Sequence, residues 1–161
     1  MWSYNNPVRI LFGNEGFASI APLIGGRPYA LVTYPDTPFQ VLTEHLTKEA
    51  GQPLIVVNDI APNPDFKLLS EQSARFASLR AGPEVIVALG GGSVIDSAKV
   101  FAAAGGDFNR VQRHLEAGCG EPTLATIPVI AVPTTAGTGS EVTSFATVWD
   151  EERGRKFSLA H

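Results

Sequence analysis

The sequence predicts an α/β domain: a Rossmann-like parallel sheet with helices on both faces. Short apolar runs without alternation, typical of strands that are buried on both sides, recur along the chain. Between these runs lie segments with the apolar spacing of helices, and glycine or proline ends most of them. Strands and helices that alternate at this spacing form parallel sheets, because each helix carries the chain back across the sheet.

The elements follow one another in order along the chain. Apolar runs predict strands at 8–12, 29–34, 54–58, 85–89 and 127–132. Helical patterns are expected at 17–24, 37–50, 65–80, from 93 onward, and at 111–116 within a loop-rich insert. Thr37 suits the N-cap position, with Pro38 at the first helical position. Pro128 predicts either a late start for its strand or an edge position. A β-hairpin is expected near the C-terminus, from residues 142–149 and 155–159.

Three consecutive glycines, Gly90 to Gly92, separate the fourth predicted strand from the helix that follows it. Ser93 suits the N-cap, and Asp96 three residues later completes a capping-box pattern. Such a turn directs free N–H groups and the positive end of the helix dipole outward, which suits a phosphate. A strand-to-helix turn needs small residues in any case, and this one matches neither the usual dinucleotide fingerprint nor the P-loop. A phosphate site and a purely structural turn therefore both remain open.

A second polar loop follows the fifth predicted strand. Four hydroxyls lie within seven residues and are separated by glycines: Thr134, Thr135, Thr138 and Ser140. Hydroxyls and free amides on such a loop suit ribose, phosphate or amide groups, although a threonine-rich turn can also satisfy its own backbone. Ligands of parallel sheets bind at the carboxyl ends of the strands, where this loop, the glycine turn and the turn at 59–64 are all expected.

Composition excludes several classes of protein. A net charge of −4 argues against a nucleic-acid partner, whereas backbone amides can bind phosphate without basic side chains. No apolar run reaches membrane-spanning length and no signal peptide is visible, so we expect a cytoplasmic protein without a membrane partner. Cys119 is the only cysteine, which excludes an internal disulfide. His45, His114 and His161 lack metal-ligand spacing, so no metal ligand is assigned. No residue of this sequence is assigned a catalytic role.

Two motifs taken together identify a family resemblance. GGGSVIDSAK (90–99) and PTTAGTGSE (133–141) resemble the motifs of the iron-containing (metal-dependent, group III) alcohol dehydrogenases. The turn NDIAPNP (58–64) is similar to the Pro-Asn-Pro turn of that family. These matches lie in the right order and cover most of residues 29–143. The opening WSYNNPVRILFG (2–13) looks like the family members that reduce phosphonoacetaldehyde.

The resemblance implies that residues 1–161 are a single N-terminal dinucleotide-binding domain. In the family, a C-terminal helical domain carries Fe²⁺ or Zn²⁺ on an Asp and three His, and that domain is absent from this sequence. The complete enzyme would move a hydride between NAD(P)H and a small aldehyde or alcohol. The 161-residue chain alone is expected to bind dinucleotide weakly or not at all and to be inactive, with an exposed apolar face where the second domain would pack. A homodimer is one oligomeric state left open.

The resemblance also implies roles for individual residues. The pyrophosphate of NAD or NADP would lie on Gly91, Gly92 and Ser93. The path of the nucleotide and the nicotinamide ribose would be lined by Thr134, Thr135 and Thr138. Asn63 would lie near the adenosine, Asp96 would support the helix start and the cofactor-side loop, and Lys156 would lie near the ribose. A solvated lysine of the hairpin remains the alternative for Lys156.

One position differs from the family and bears on cofactor choice. Many members end the first Rossmann-type strand with an Asp, which bonds the 2′-hydroxyl of the adenine ribose and favours NAD. Here Tyr34 occupies that position and Asp36 follows two residues later. Either Asp36 reaches the ribose, or NADP is tolerated.

Two other functions remain open at this stage. One is a relative with the same nucleotide domain and different chemistry, such as a glycerol dehydrogenase or a dehydroquinate-synthase-like lyase, usually zinc-dependent. The other is a stand-alone nucleotide-binding module. The Thr-Gly-rich loop at 133–141 favours the alcohol dehydrogenase over the first of these, because those relatives generally have less Thr-Gly-rich versions.

Overall fold

Four parallel strands form the central sheet in the computed structural model, which describes residues 1–2, 6–117 and 124–160. The strands lie in the order β2-β1-β3-β4. Their bounds are Tyr29–Val32 (β1), Ile55–Val57 (β2), Val85–Gly90 (β3) and Val129–Pro133 (β4). From β1 the chain moves to one side of the sheet to form β2, and then crosses to the other side of β1 to form β3. The strand order therefore reverses between β1 and β3, and ligands of open parallel sheets bind at such a switch point.

Helices cover both faces of the sheet, as the alternation of elements predicts. Their bounds are Ile20–Ile24 (α1), Thr37–Ala50 (α2), Phe66–Ala77 (α3), Gly92–Ala104 (α4) and Phe108–Ala117 (α5), with a 3-10 turn at Phe17–Ser19. On one face Ile86 and Ala88 pack in a cluster with residues of α3, α4 and α5. On the other face Val87 and Leu89 pack in a cluster with residues of α1 and α2. Alternate residues of β3 thus enter two cores, which explains why this strand is apolar without alternation.

A separate antiparallel hairpin, β5 (Phe145–Asp150) and β6 (Arg155–Ala160), completes the described fold. The backbone N–H of Trp149 donates to the carbonyl of Pro64 at 2.8 Å, so the hairpin docks on the turn that follows β2. Phe157 stacks on Phe66 with ring centroids 5.3 Å apart. These contacts hold the hairpin beside the carboxyl edge of the sheet rather than within it.

Three local predictions are wrong. Residues 8–12 do not form a strand, and Ile10 is 65% exposed there, because among the described residues no strand pairs with this apolar run. Ser93 is not an N-cap: α4 begins at Gly92, and Gly91 caps it without a side-chain hydrogen bond. Asp36, rather than Thr37, is the N-cap of α2.

Other boundaries agree within a few residues. β4 starts late, at the residue after Pro128, as that proline predicts. Asp65 caps α3 by accepting a hydrogen bond from the backbone N–H of Lys67 at 2.9 Å. Cys119 and His161, which the sequence analysis considered, lie outside the described residues. Of the helices that the structure describes, none has the length and apolar character needed to span a membrane.

Candidate dinucleotide cleft

A cleft of about 560 Å³ opens at the carboxyl edge of the sheet, beside the switch point. Four segments contribute to it: the end of β1, the turn after β2, the glycine turn that leads into α4, and the loop between β4 and β5 with the hairpin. It is lined by Tyr34, Asn63, Pro64, Gly91, Gly92, Ser93, Asp96, Thr135, Thr138, Ser140, Thr143, Phe145, Thr147, Trp149 and Lys156. The cleft thus gathers most of the residues that the sequence analysis selected, although Thr134 and Asp36 do not line it.

The glycine turn is covered directly by the threonine loop. A Cβ added at Gly91 would lie 2.9 Å from Oγ1 of Thr135, and one at Gly92 would lie 2.8 Å from Cγ2 of Thr138. A side chain at either position would require the facing threonine to shift, so the packing of the protein itself favours glycine at both. The first turn of α4 begins here and presents backbone N–H groups without side-chain caps. This cradle has the chemistry that a pyrophosphate requires.

Thr134 has a structural role in the same loop. Its backbone N–H donates to the carbonyl of Gly90 at 3.0 Å and continues the pairing of β4 with β3. Its side chain is exposed and lies outside the cleft lining. The structure therefore separates Thr134 from Thr135 and Thr138, which do line the cleft.

Asp96 joins α4 to the loop and hairpin instead of capping its own helix. Its carboxylate accepts a short hydrogen bond from Oγ of Ser140 and another from the backbone N–H of Thr147 at 3.0 Å. Both oxygens are engaged by residues more than forty positions away. Asp96 therefore holds the loop and β5, and it makes no side-chain cap at the start of α4, contrary to the expected support of the helix start.

Lys99, one turn further along α4, makes contacts that the sequence analysis did not anticipate. Its Nζ donates to the carbonyl oxygens of Ser140 (2.6 Å), Phe145 (2.7 Å) and Thr143 (2.9 Å), and lies 3.2 Å from Oγ of Ser140. Asp96 and Lys99 therefore hold the same stretch of chain from one face of α4. The i, i+3 spacing of the two charges was the available signal, but nothing in the sequence showed what they would face.

The end of β1 contributes Tyr34 to the cleft. Its ring packs edge-on against Phe39 with centroids 5.1 Å apart. Burial raises the pKa of the Tyr34 phenol and the charge of Asp36 raises it further, while a hydrogen bond with Ser93 lowers it. Asp36 itself is exposed at the start of α2. Tyr34 is therefore a neutral group at neutral pH, and it occupies the position where many family members have a carboxylate.

The turn after β2 is held in place by α3. Arg75 forms an ion pair with the carboxylate of Asp59, and Nε2 of Gln72 donates to the carbonyl of Asp59 at 2.9 Å. Four residues later Asn63 adopts φ = 58°, a left-handed conformation that Asn tolerates better than most residues. This turn brings Asn63 to the lining of the cleft.

The hairpin contributes a row of side chains that the sequence analysis missed. Along β5 the residues alternate: Ala146 and Val148 are buried, whereas Phe145, Thr147 and Trp149 line the cleft. Trp149 is paired in register with Lys156, whose Nζ lies 5.3 Å from the centroid of the indole ring. The alternation was visible in the sequence, but it did not show which face would meet the ligand site.

The described residues do not fit a metal site. No group of three or more His, Cys, Asp or Glu among residues 1–2, 6–117 and 124–160 is arranged to hold a metal ion. His45 packs its ring near Phe17 with centroids 5.4 Å apart, and His114 lies on α5. No step of the chemistry is therefore assigned to a metal bound by these residues.

A parallel sheet with a glycine turn at its switch point defines the class: a Rossmann-like α/β domain. The family within that class follows from comparison with known sequences. The profile of the iron-containing alcohol dehydrogenases matches residues 7–161, and the chain belongs to that family.

Similar proteins agree with this assignment. The chain is 39% identical over 145 residues to a phosphonoacetaldehyde reductase of Streptomyces viridochromogenes, which covers 87% of this chain and 33% of the relative. It is 38% identical over 112 residues to a choline dehydrogenase of Bacillus subtilis, covering 69% of this chain and 27% of the relative. The crystal structure of sulfoacetaldehyde reductase from Bifidobacterium kashiwanohense in complex with NAD⁺ superposes with a TM-score of 0.83 at 29% identity, covering 99% of this chain and 43% of that one. The chain thus spans about a third of the length of these curated relatives.

Proposed function

We propose that residues 1–161 are the dinucleotide-binding domain of an enzyme that transfers a hydride between NAD(P)H and a small aldehyde. The observation that carries this proposal is the glycine turn at the switch point, where the start of α4 presents free N–H groups beneath a loop of hydroxyls. Family membership supports the proposal, as does the NAD⁺ complex of a similar reductase. The rest of such an enzyme would supply its substrate and metal sites.

In this proposal the chain's own residues bind and orient the cofactor. Gly91, Gly92 and Ser93 hold the pyrophosphate through backbone N–H groups and the helix dipole. Thr135 and Thr138 offer hydroxyls to the nucleotide path, and further along the cleft the aromatic side chains of β5 exclude water from the nicotinamide end. The bound nicotinamide supplies the hydride chemistry, and the protein supplies orientation and electrostatics.

Lys156 supplies the positive charge in this arrangement. Of the described residues that line the cleft, it is the only cation, and the carboxylate oxygens of Asp96 are already engaged. Its packing beside Trp149 keeps the ammonium at the hairpin side of the cleft. An ammonium in this position attracts the phosphates or hydrogen-bonds a ribose, so we assign it to the cofactor rather than to a solvated surface.

The cleft is proposed to accept both NADH and NADPH. Many dinucleotide sites reject NADPH because a carboxylate at the end of the first strand repels its 2′-phosphate. Here that position holds the neutral Tyr34, and the side chain of Asp36 is exposed outside the cleft lining.

Replacing Tyr34 with Asp is therefore expected to create a preference for NADH. The new carboxylate would face the 2′-position, so the ratio of the NADPH and NADH dissociation constants should rise by about 10-fold or more. Calorimetric titration with both cofactors measures this ratio. The Asp36→Asn variant is the matched control and should change the ratio by less than ~3-fold, because exposed charges are screened. If the ratio changes in Asp36→Asn and not in Tyr34→Asp, Asp36 is the group that reaches the ribose.

The proposal itself is tested by titrating the protein with NADH and NADPH by calorimetry. We expect the 161-residue chain to bind weakly and to show no aldehyde reduction, because it spans only about a third of its curated relatives. The longest natural reading frame that contains this sequence should bind at least ~10-fold more tightly, since a second domain would close over the cofactor. If that longer protein binds neither cofactor, the proposed function is wrong.

A further inference from the structure

Lys99 lies at the point where α4 meets the loop between β4 and β5. Its ammonium has three protons, and three backbone carbonyls within 2.9 Å accept them: those of Ser140, Thr143 and Phe145. The side chain is about half-buried beneath the loop. One lysine therefore holds residues 140–145, a segment that forms one 3-10 turn at Ser140–Val142 and then leads into β5.

We propose that Lys99 is a positioning residue for the dinucleotide cleft. By holding residues 140–145 on α4, it fixes Thr138 over the glycine turn and directs Phe145 into the cleft. This inference rests on the proposed function, because the position of the loop matters only if the cleft binds a dinucleotide. Nothing in the sequence motif by itself assigns this role to the lysine.

The connection from Lys99 to the phosphate cradle passes through two residues. The carbonyl and hydroxyl oxygens of Ser140 lie 2.6 and 3.2 Å from Nζ of Lys99. The backbone N–H of Ser140 donates to Oγ1 of Thr138 at 3.3 Å. The side chain of Thr138 in turn occupies the space where a Cβ of Gly92 would lie. If the loop lifts from α4, Thr138 moves relative to the turn that is proposed to bind the pyrophosphate.

A second contact of Lys99 reaches the start of β5. Nζ of Lys99 donates to the carbonyl of Phe145, which is the first residue of β5. The side chain of Phe145 is 54% exposed and lines the cleft, so an unheld backbone would leave it without a fixed direction. Asp96 holds the same strand through the N–H of Thr147. The two residues of α4 thus set both the loop and the start of β5.

The chemistry explains why a lysine stands here. Burial lowers the pKa of Lys99, while the carboxylates of Asp96 and Glu141 raise it and favour the charged form. A compact ammonium can direct its protons at three carbonyls around one point, whereas the planar fork of an arginine cannot. A neutral side chain of the same length would leave the three carbonyls without this donor.

The test replaces Lys99 with Met in the longest natural reading frame that contains this sequence. We expect NADH to bind at least ~10-fold more weakly by calorimetry, because a misplacement of about 1 Å in a positioned site is costly. Circular dichroism establishes that the variant is folded at the temperature of the titration. Lys48→Met, which removes an exposed ammonium from α2, is the matched control and should bind NADH like the wild type.

Chemical rescue separates positioning from a general loss of stability. In a background in which Cys119 and any further cysteine of that reading frame are replaced by Ser, Lys99→Cys should bind as weakly as Lys99→Met, and treatment with 2-bromoethylamine should restore an ammonium at the same distance. Affinity should then return to within ~3-fold of this cysteine-free parent. If the Met variant does not fold, Lys99→Gln takes its place, since it keeps two N–H donors.

The outcomes are distinct. A folded Lys99 variant that binds NADH like the wild type overturns the positioning role, even if its melting temperature is lower. Weaker binding that aminoethylation does not restore overturns it as well. If the wild type itself binds neither NADH nor NADPH, the proposed function fails, and the positioning role fails with it.

Discussion

Replacing Gly92 with Asp is expected to abolish dinucleotide binding. The new Cβ would lie 2.8 Å from Cγ2 of Thr138, and the new carboxylate would stand in the cradle where the pyrophosphate is proposed to lie. Steric displacement and like-charge repulsion act together, so affinity for NADH should fall by at least ~100-fold, about 2.7 kcal/mol. Calorimetric titration measures the loss, and the melting temperature establishes that the variant is folded.

Two further variants make this result specific. Gly82→Asp adds the same charge in a loop where a Cβ would meet no atom within 4 Å, and it should bind like the wild type. Gly92→Ala adds the Cβ without the charge, so the difference between it and Gly92→Asp reports the electrostatic part of the loss. Near wild-type affinity in a folded Gly92→Asp protein would show that the cofactor does not use this turn.

Replacing Leu89 with Ala is expected to give a large loss of stability. Leu89 is fully buried in β3 and packs with residues of α1 and α2 on one face of the sheet. Removing its side chain leaves a cavity that cannot close, because the sheet is packed between two helical layers. The free energy of unfolding should therefore fall by about 2–5 kcal/mol. For a domain of this size the melting temperature should fall by roughly 4–20 °C.

An exposed leucine provides the control for Leu89→Ala, and NADH affinity provides a second measurement. Leu54, next to β2, is 43% exposed, and Leu54→Ala should cost less than about 1 kcal/mol. Leu89 does not line the cleft, so folded Leu89→Ala protein should keep the NADH affinity of the wild type. Equal melting temperatures for the two variants would contradict the burial of β3 between two helical layers.

The sheet was predictable from the sequence because its strands are buried on both faces. A run such as VIVAL at 85–89 has no polar alternation, and only a strand between two helical layers accommodates it. The apolar run at 8–12 is similarly rich in large side chains, yet it is not a strand in the structure. A strand requires a partner, and a partner is a property of the tertiary structure that no local pattern contains.

The site was predictable in part, because the topology of a parallel sheet determines where its ligands bind. The rule that parallel strands end at one edge predicted that Gly92, Thr138 and Asn63 would lie together, and all three line one cleft. Their binding roles stay predictions. The capping-box pattern at Ser93 and Asp96 gave a wrong local interpretation, because the carboxylate finds its partners in Ser140 and Thr147 instead.

By itself, therefore, the sequence determined the α/β class, the order of most elements and the loops that meet at the ligand edge, because periodicity, glycine and proline act locally. Only the tertiary structure decided which face of β5 enters the cleft, what Asp96 and Lys99 hold, and that Asp36 stays outside. Those outcomes depend on how the hairpin docks on α4 and on the turn after β2. Hydrogen bonds between residues more than forty positions apart fix that docking, and their partners are chosen by packing rather than by neighbouring sequence.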